Sequence, residues 1–216
     1  MSDWLRPDWP APANIVAGTT LRNSVPDRLP FAGSACWLRQ VHGADVVAAA
    51  AYDKAPTADA SVKGDSGYFC VIKTADCLPI LICSKDGSSF AAAHAGWRGL
   101  ASGVIESTIA ALGIAGDELL VWLGPAISQA SFEVGAEVRD AFLAADPEAA
   151  DCFLINDRGR WQADLYALAR RRLKAAGVLD IYGGDDCTFL DSERFYSYRR
   201  NPECGRMLSF IGEVTP

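Results

Sequence analysis

Residues 91–100, Ala-Ala-Ala-His-Ala-Gly-Trp-Arg-Gly-Leu, deliver one histidine from a run of very small side chains into a turn bracketed by Gly96 and Gly99. Small residues on a strand let a neighbouring backbone or a ligand come close, and the two glycines relax the steric limits on the turn that holds Trp97 and Arg98. Two further stretches supply matching chemistry: Gln40-Val41-His42-Gly43 upstream and Ala75-Asp76-Cys77-Leu78-Pro79 between. His42 and His94 are the chain's only histidines. Two imidazoles and a thiolate are the three-ligand set of a catalytic zinc centre, whose fourth place is left for water or substrate. A water in that place ionises near neutral pH and becomes a nucleophile. The same residues also fit a metal-free thiol hydrolase, with Cys77 as nucleophile, His94 as base and His42 or Asp76 as orienter. A structural reading makes Cys77 a core residue and His94 a hydrogen-bonded strand end.

Around this trio stand groups suited to anions and protons. Arg98, Arg199, Arg200 and Arg206 can offer a guanidinium fork to a phosphate or a carboxylate. Arg98 and Arg206 stand out because each follows a glycine-bearing turn. Glu133, at the start of an expected helix, and Asp76, next to Cys77, are candidate proton carriers; each can equally cap or orient a neighbour.

The elements that must position these groups follow from hydropathy patterning. Asn14–Ala17, Trp37–Val41 (ending at His42-Gly43) and Asp45–Ala48 read as short strands, and residues 53–67 as a polar connection in which Asp59 is a turn residue. Tyr68–Lys73, Leu78–Cys83 and Phe90–His94 read as buried strands, the last two joined by the Asp86-Gly87 hairpin signal. Antiparallel pairing of those two brings Cys77, at the start of one, beside His94, at the end of the other. An amphipathic helix is expected from Leu100 to Leu112, capped by Gly113, then a strand at Leu119–Leu123 and a helix through Val138 and Phe142 that stops before Pro147. Asp164 is placed to cap a helix running to Gly177. Val178–Tyr182, Phe195–Arg199 and Met207–Ile211 complete the expected strands. Strands arrive both in hairpins and between helices, which predicts mixed sheet layers with helices outside.

At 216 residues the chain suits one domain spanning 1–216. A net charge of -7 with no basic tract disfavours nucleic acid. No apolar run reaches the length of a membrane span, and Met1-Ser2-Asp3-Trp4 lacks the features of a secretion signal, so the cytoplasm is the expected location. Seven cysteines without a Cys-x-x-Cys pair predict reduced thiols, with Cys70 and Cys83 buried as small hydrophobes.

The motifs together resemble the YfiH-type proteins, also called laccase-domain or polyphenol-oxidase-like proteins. The resemblance rests on Gln40–Gly43, Thr74–Ile80, Ala93–Gly99, Gly124–Ile127 with Phe132–Gly135, and Phe195–Arg200 with Gly205–Met207, all in family order. It implies an α/β (α+β) fold of four layers, α/β/β/α with mixed sheets, related to the catalytic domain of cytotoxic necrotizing factor. It implies a metal site at His42, Cys77 and His94, holding zinc or copper; Gln40, Arg98, Arg199 and Arg206 are the expected binders of substrate or phosphate. The implied activity is zinc-dependent phosphorolysis of adenosine, inosine and methylthioadenosine, with hydrolytic deamination of adenosine. Some members are linked instead to removing misincorporated peptidoglycan precursors, and older assignments made them copper oxidases. The expected partners are nucleoside and phosphate, and the expected state a monomer or homodimer. The chain departs from the pattern after Gly18-Thr19-Thr20-Leu21-Arg22, where a longer family segment is cut short, and at Cys204, where threonine is customary. A multicopper laccase needs a blue-copper site and a trinuclear cluster built largely from imidazole, and two histidines cannot supply them.

Overall fold

A computed structural model describes residues 4–24 and 33–214 of the chain. Met1, Ser2 and Asp3, which entered the reading above, lie outside those residues.

In chain order the elements are β1 (Trp4–Leu5), β2 (Ile15–Thr20), β3 (Ser34–Cys36), β4 (Val46–Ala48), β5 (Ala60–Val62), β6 (Tyr68–Thr74), β7 (Leu78–Ser84) and β8 (Phe90–Ala95). They continue with α1 (Trp97–Ala101), α2 (Val104–Leu112), β9 (Leu119–Leu123), β10 (Glu133–Val134), α3 (Ala136–Leu143), β11 (Phe153–Ile155), β12 (Trp161–Ala163), α4 (Leu165–Ala175), β13 (Asp180–Gly183) and β14 (Met207–Glu213). One mixed sheet runs β1-β2-β14-β6-β3 and a second runs β13-β9-β7-β8-β5-β4, with a small β10-β12-β11 sheet beside them.

Side-chain alternation in β7 and β8 explains the layering, because each strand is buried on both faces. Leu78, Ile80 and Ile82, with Ala91, Ala93 and Ala95, join Leu100, Ile105, Leu168 and Leu173 in a core between the six-stranded sheet and the helices. Leu81, Cys83 and Ala92 point the other way, into a second core with Cys70, Ile72, Trp122 and Ile211 between the two sheets. The α/β/β part of the expected four layers, with its mixed sheets, is thus in place. Among the described residues the outer face of the five-stranded sheet carries Phe69, Val71, Leu208 and Phe210 under Trp4 and Trp37, and no helix.

Several expectations shift. The strand expected at Trp37–Val41 ends at Cys36, and Arg39 keeps only an isolated bridge to Thr57. The polar connection 53–67 contains β5, paired with both β4 and β8. The single helix from Leu100 is two, broken at Gly103, whose φ of 92° suits glycine and ends the first segment. Phe195–Arg199 forms no strand: the segment is irregular and enters a turn at Tyr198, because the Arg200 guanidinium gathers the carbonyls of Thr188, Phe189 and Phe195 and folds it back. Asp164 accepts from the Ala167 amide at 2.9 Å, the cap expected of it.

Candidate metal centre

The β7–β8 pairing matches Leu78 with Ala95 and Pro79 with His94. Cys77, one residue before β7, therefore stands at the His94 end of β8. His42 reaches the same point from the loop after Arg39, its backbone at φ 62°, an unusual left-handed conformation for a residue with a side chain. The Cys77 sulfur lies 3.9 Å from His42 Nε2, the two imidazole centroids are 4.8 Å apart, and one ligand atom from each of the three residues falls within 4.8 Å of the others.

One carboxylate organises the trio. Asp59 is fully buried, and its Oδ1 accepts from His94 Nδ1 at 2.7 Å and from the His42 amide at 2.9 Å. Its Oδ2 accepts from the amides of Val41 at 3.0 Å and Gly43 at 2.7 Å. The His42 loop is thus wrapped around a fixed anion. Bonding at Nδ1 also sets the His94 tautomer and leaves Nε2 free to act as a ligand. The Asp59 carbonyl accepts from the His94 amide at 2.7 Å, so backbone and side chain pin the same residue. Asp59 was expected to be only a turn residue. The signal that could have exposed it is an acid flanked by Ala58 and Ala60, residues small enough for a packed interior.

The glycine turn has a steric cause. A Cβ on Gly96 would stand 2.9 Å from both the Cys77 sulfur and His42 Cδ2, and one on Gly99 would stand 2.8 Å from the Gly43 carbonyl. The donor set fits a single tetrahedral ion. Bonds of about 2.0 Å to nitrogen and 2.3 Å to sulfur put ligand atoms roughly 3.3–3.5 Å apart, so the three, now within 4.8 Å of one another, need close by about 1.5 Å at most. Burial opposes charging the Cys77 thiol, yet hydrogen bonds and charge from His42 and His94 hold it down to about 6. Burial likewise opposes the imidazolium of His94, but Asp59 and Cys77 raise it to about 9. For Asp59 the bonds from His94, Gly43 and Val41 outweigh burial and lower its pKa.

The trio lies in the wall of a cavity of about 640 Å³. Gln40, Arg98, Arg199 and Arg206 line it, as does Lys73; Trp97, Phe132 and Tyr198 supply aromatic faces. Arg98 stacks over Trp97 at 4.5 Å, Arg199 over Phe132 at 5.6 Å and Arg206 over Tyr198 at 5.8 Å. Each cation is therefore presented by an aromatic neighbour. The Gln40 amide is committed to the backbone of Lys73, donating to its carbonyl at 2.9 Å and accepting from its amide at 2.8 Å.

Two expected proton carriers are placed differently. Glu133 is absent from the cavity wall; its carboxylate accepts from Asn156 at 2.7 Å and from Arg158. Asp76 does border the cavity, but its carboxylate is occupied by Thr188, Ser197 and the Arg199 amide. Arg200, tied to three carbonyls, serves its own loop rather than the cavity.

Stacked mixed sheets with a His-Cys-His cluster at one strand end define a laccase-domain protein of YfiH type. The family described as multi-copper polyphenol oxidoreductase laccase matches residues 18–213, and the chain belongs to it. A Pseudomonas aeruginosa protein named purine nucleoside phosphorylase is 47% identical over 98% of both chains. Escherichia coli YfiH, with the same activity in its name, is 42% identical over 98% of this chain and 99% of its own. The first of these alignments runs to 239 positions, so more than twenty of them have no residue from this shorter chain. Among solved structures, a Neisseria meningitidis protein of the DUF152 family superposes with a TM-score of 0.93 at 42% identity, covering 99% of this chain and 100% of its own. YlmD from Geobacillus stearothermophilus gives 0.88 at 28% identity, covering 99% and 97%. No described helix is long and apolar enough to cross a membrane.

Proposed function

We propose that this chain is a metal-dependent purine nucleoside phosphorylase, splitting adenosine, inosine and methylthioadenosine with inorganic phosphate. The observation that carries the reading is the cavity itself. Its volume suits a nucleoside, since small-molecule sites run to about 300–1,000 Å³. Its wall brings four cations and three aromatic faces to the His42, Cys77 and His94 trio. Relatives closely similar over nearly the whole chain carry that activity in their names.

In this reading Trp97, Phe132 and Tyr198 hold the flat base, and Arg98, Arg199 and Arg206 hold phosphate toward the ribose. A phosphate oxygen bonds to C1′ as the C1′–N9 bond breaks. The electron pair leaves with the purine, which takes up a proton, and the sugar departs as ribose 1-phosphate. His42, Cys77 and His94 hold zinc, or copper in its place, which when bound supplies a Lewis-acid centre at the cavity wall. Gln40 acts one step back, through the backbone of Lys73 that it holds.

Hydrolytic deamination of adenosine is the second activity proposed for the same cavity. It needs a proton carrier, and the saturated Asp76 is the only carboxylate in the described wall, which favours phosphorolysis. A Cys77–His94 amide hydrolase is favoured only by the depressed Cys77 thiol in the metal-free site. The family's descriptive name does not carry a multicopper reaction to this chain, because two histidines cannot build that cluster.

The deciding assay incubates the purified protein with adenosine and phosphate and separates adenine, inosine and hypoxanthine. Adenine should form only with phosphate, and should vanish on chelation or in folded Cys77→Ala and His94→Ala variants. Undiminished adenosine turnover by those variants would sink the reading. Amide cleavage by chelated protein, stopped by alkylation of Cys77, would move the assignment to the hydrolase.

A further inference from the structure

Asp76 is buried at 8% exposure with φ at 88°, a conformation that asparagine and aspartate enter more readily than other residues with side chains. Its Oδ1 accepts from Thr188 Oγ1 at 2.7 Å, and its Oδ2 accepts from Ser197 Oγ at 3.0 Å and from the Arg199 amide at 2.7 Å. Its carbonyl accepts from the Ile127 amide at 2.9 Å. One residue, adjacent to Cys77, thereby grips the three segments that carry Ile127, Thr188 and Tyr198-Arg199. Ile127, Tyr198 and Arg199 all line the cavity. The Arg199 guanidinium reaches on to the Glu133 carbonyl at 3.1 Å, so its amide is anchored at Asp76 and its far end at β10.

We infer that Asp76 is a positioning residue and not the proton carrier: it locks the arginine-bearing wall in register with the ligand-bearing turn, so that phosphate is held at a fixed offset from the trio. The inference rests on the phosphorylase reading for its kinetic consequence, while the loop geometry stands apart from it. Its chemical signature is an asymmetry among the donors. The Arg199 amide can only donate and needs an acceptor at Oδ2, whereas the Thr188 hydroxyl, the sole partner of Oδ1, can accept as readily as it donates. An asparagine with its oxygen at the Oδ2 position and its NH₂ toward Thr188 therefore keeps every bond. Aspartate acting in acid–base catalysis has no such substitute.

The test compares Asp76→Asn, Asp76→Ala and Ser197→Ala in the metal-loaded, full-length protein, measuring kcat and KM for phosphate, bound metal, and hydrogen exchange at the Arg199 amide. Asp76→Asn should keep kcat within a few fold of wild type and keep that amide protected. Asp76→Ala should raise the phosphate KM by about tenfold, the scale of one lost charge-assisted hydrogen bond, with faster exchange at Arg199 and metal still bound. Should Asp76→Ala fail to fold, Ser197→Ala reports the same direction with a smaller rise. A dead but folded Asp76→Asn with normal phosphate KM and protected amide would overturn the inference, as would an Asp76→Ala or Ser197→Ala variant with an unchanged phosphate KM. If the wild type turns over no nucleoside, the phosphorylase reading fails by itself. The exchange data then decide the positioning role: protection lost in Asp76→Ala and kept in Asp76→Asn supports it, and any other pattern overturns it.

Discussion

Replacing Asp59 by asparagine should disable the metal centre, although the two side chains have nearly the same shape. All four donors to Asp59 are N–H groups: three consecutive backbone amides and His94 Nδ1. None of the amides can reverse its role. With the asparagine oxygen toward His94 and His42, its NH₂ faces the amides of Val41 and Gly43. With the oxygen the other way, the NH₂ forces His94 to drop its Nδ1 proton and carry one on Nε2, the nitrogen needed for the ion. A buried donor without an acceptor costs about 1–3 kcal/mol, so two of them destabilise the loop by about 2–6 kcal/mol. Loss of an outer partner to a ligand imidazole lowers metal affinity about 10–100-fold. Zinc competition against a chromophoric chelator, with circular dichroism as the control for folding, reads both effects. A folded Asp59→Asn protein with wild-type zinc affinity would refute the claim that this carboxylate builds the site. The contrast with Asp76, where the only donor at Oδ1 is a reversible hydroxyl, makes the pair a stringent test.

Further outcomes are expected. In metal-free protein Cys77, held down to about 6, is a thiolate at pH 7.5; its alkylation by iodoacetamide should fall as pH drops through about 6 and be blocked by bound zinc. Cys70 and Cys83, pushed up to about 12 by burial, should stay unlabelled in the same mass spectra. Gly96→Ala puts a methyl group 2.9 Å from the Cys77 sulfur and should abolish stoichiometric zinc uptake, measured by elemental analysis, without unfolding β8. Arg199→Ala should raise the phosphate KM by about tenfold while leaving bound zinc unchanged. Ile80→Ala, at a fully buried position in the helix-facing core, should lower unfolding free energy by about 2–5 kcal/mol in urea titrations.

What could be read from the sequence was whatever local pattern decides. The Asp86-Gly87 turn between two apolar runs gave the β7–β8 hairpin, and with it the meeting of Cys77 and His94, before any coordinates. The Asp164 cap and the mixed layering followed in the same way. What stayed hidden depends on partners far along the chain. Asp59 looks like a polar loop residue because β5, the three-residue strand it precedes, is too short to show a period. Phe195–Arg199 alternates like a strand, yet Asp76, more than a hundred positions earlier, and Arg200 bend it back into a turn. The same long-range bonding occupies the carboxylates of Asp76 and Glu133, the two expected proton carriers, a circumstance no residue type reveals.

The place of β14 has a consequence for how the protein is made. It lies in the middle of its sheet, antiparallel to both β2 and β6, and the segment just before it brings Tyr198, Arg199 and Arg206 to the cavity. A ribosome must synthesise the chain through Glu213 before β2 and β6 acquire their shared neighbour. Until then each keeps a bare hydrogen-bonding flank that invites misassociation. A chain ending upstream of Tyr198 would keep both flanks bare and lack three of the side chains that line the cavity, so such a truncation should accumulate as aggregate or be degraded.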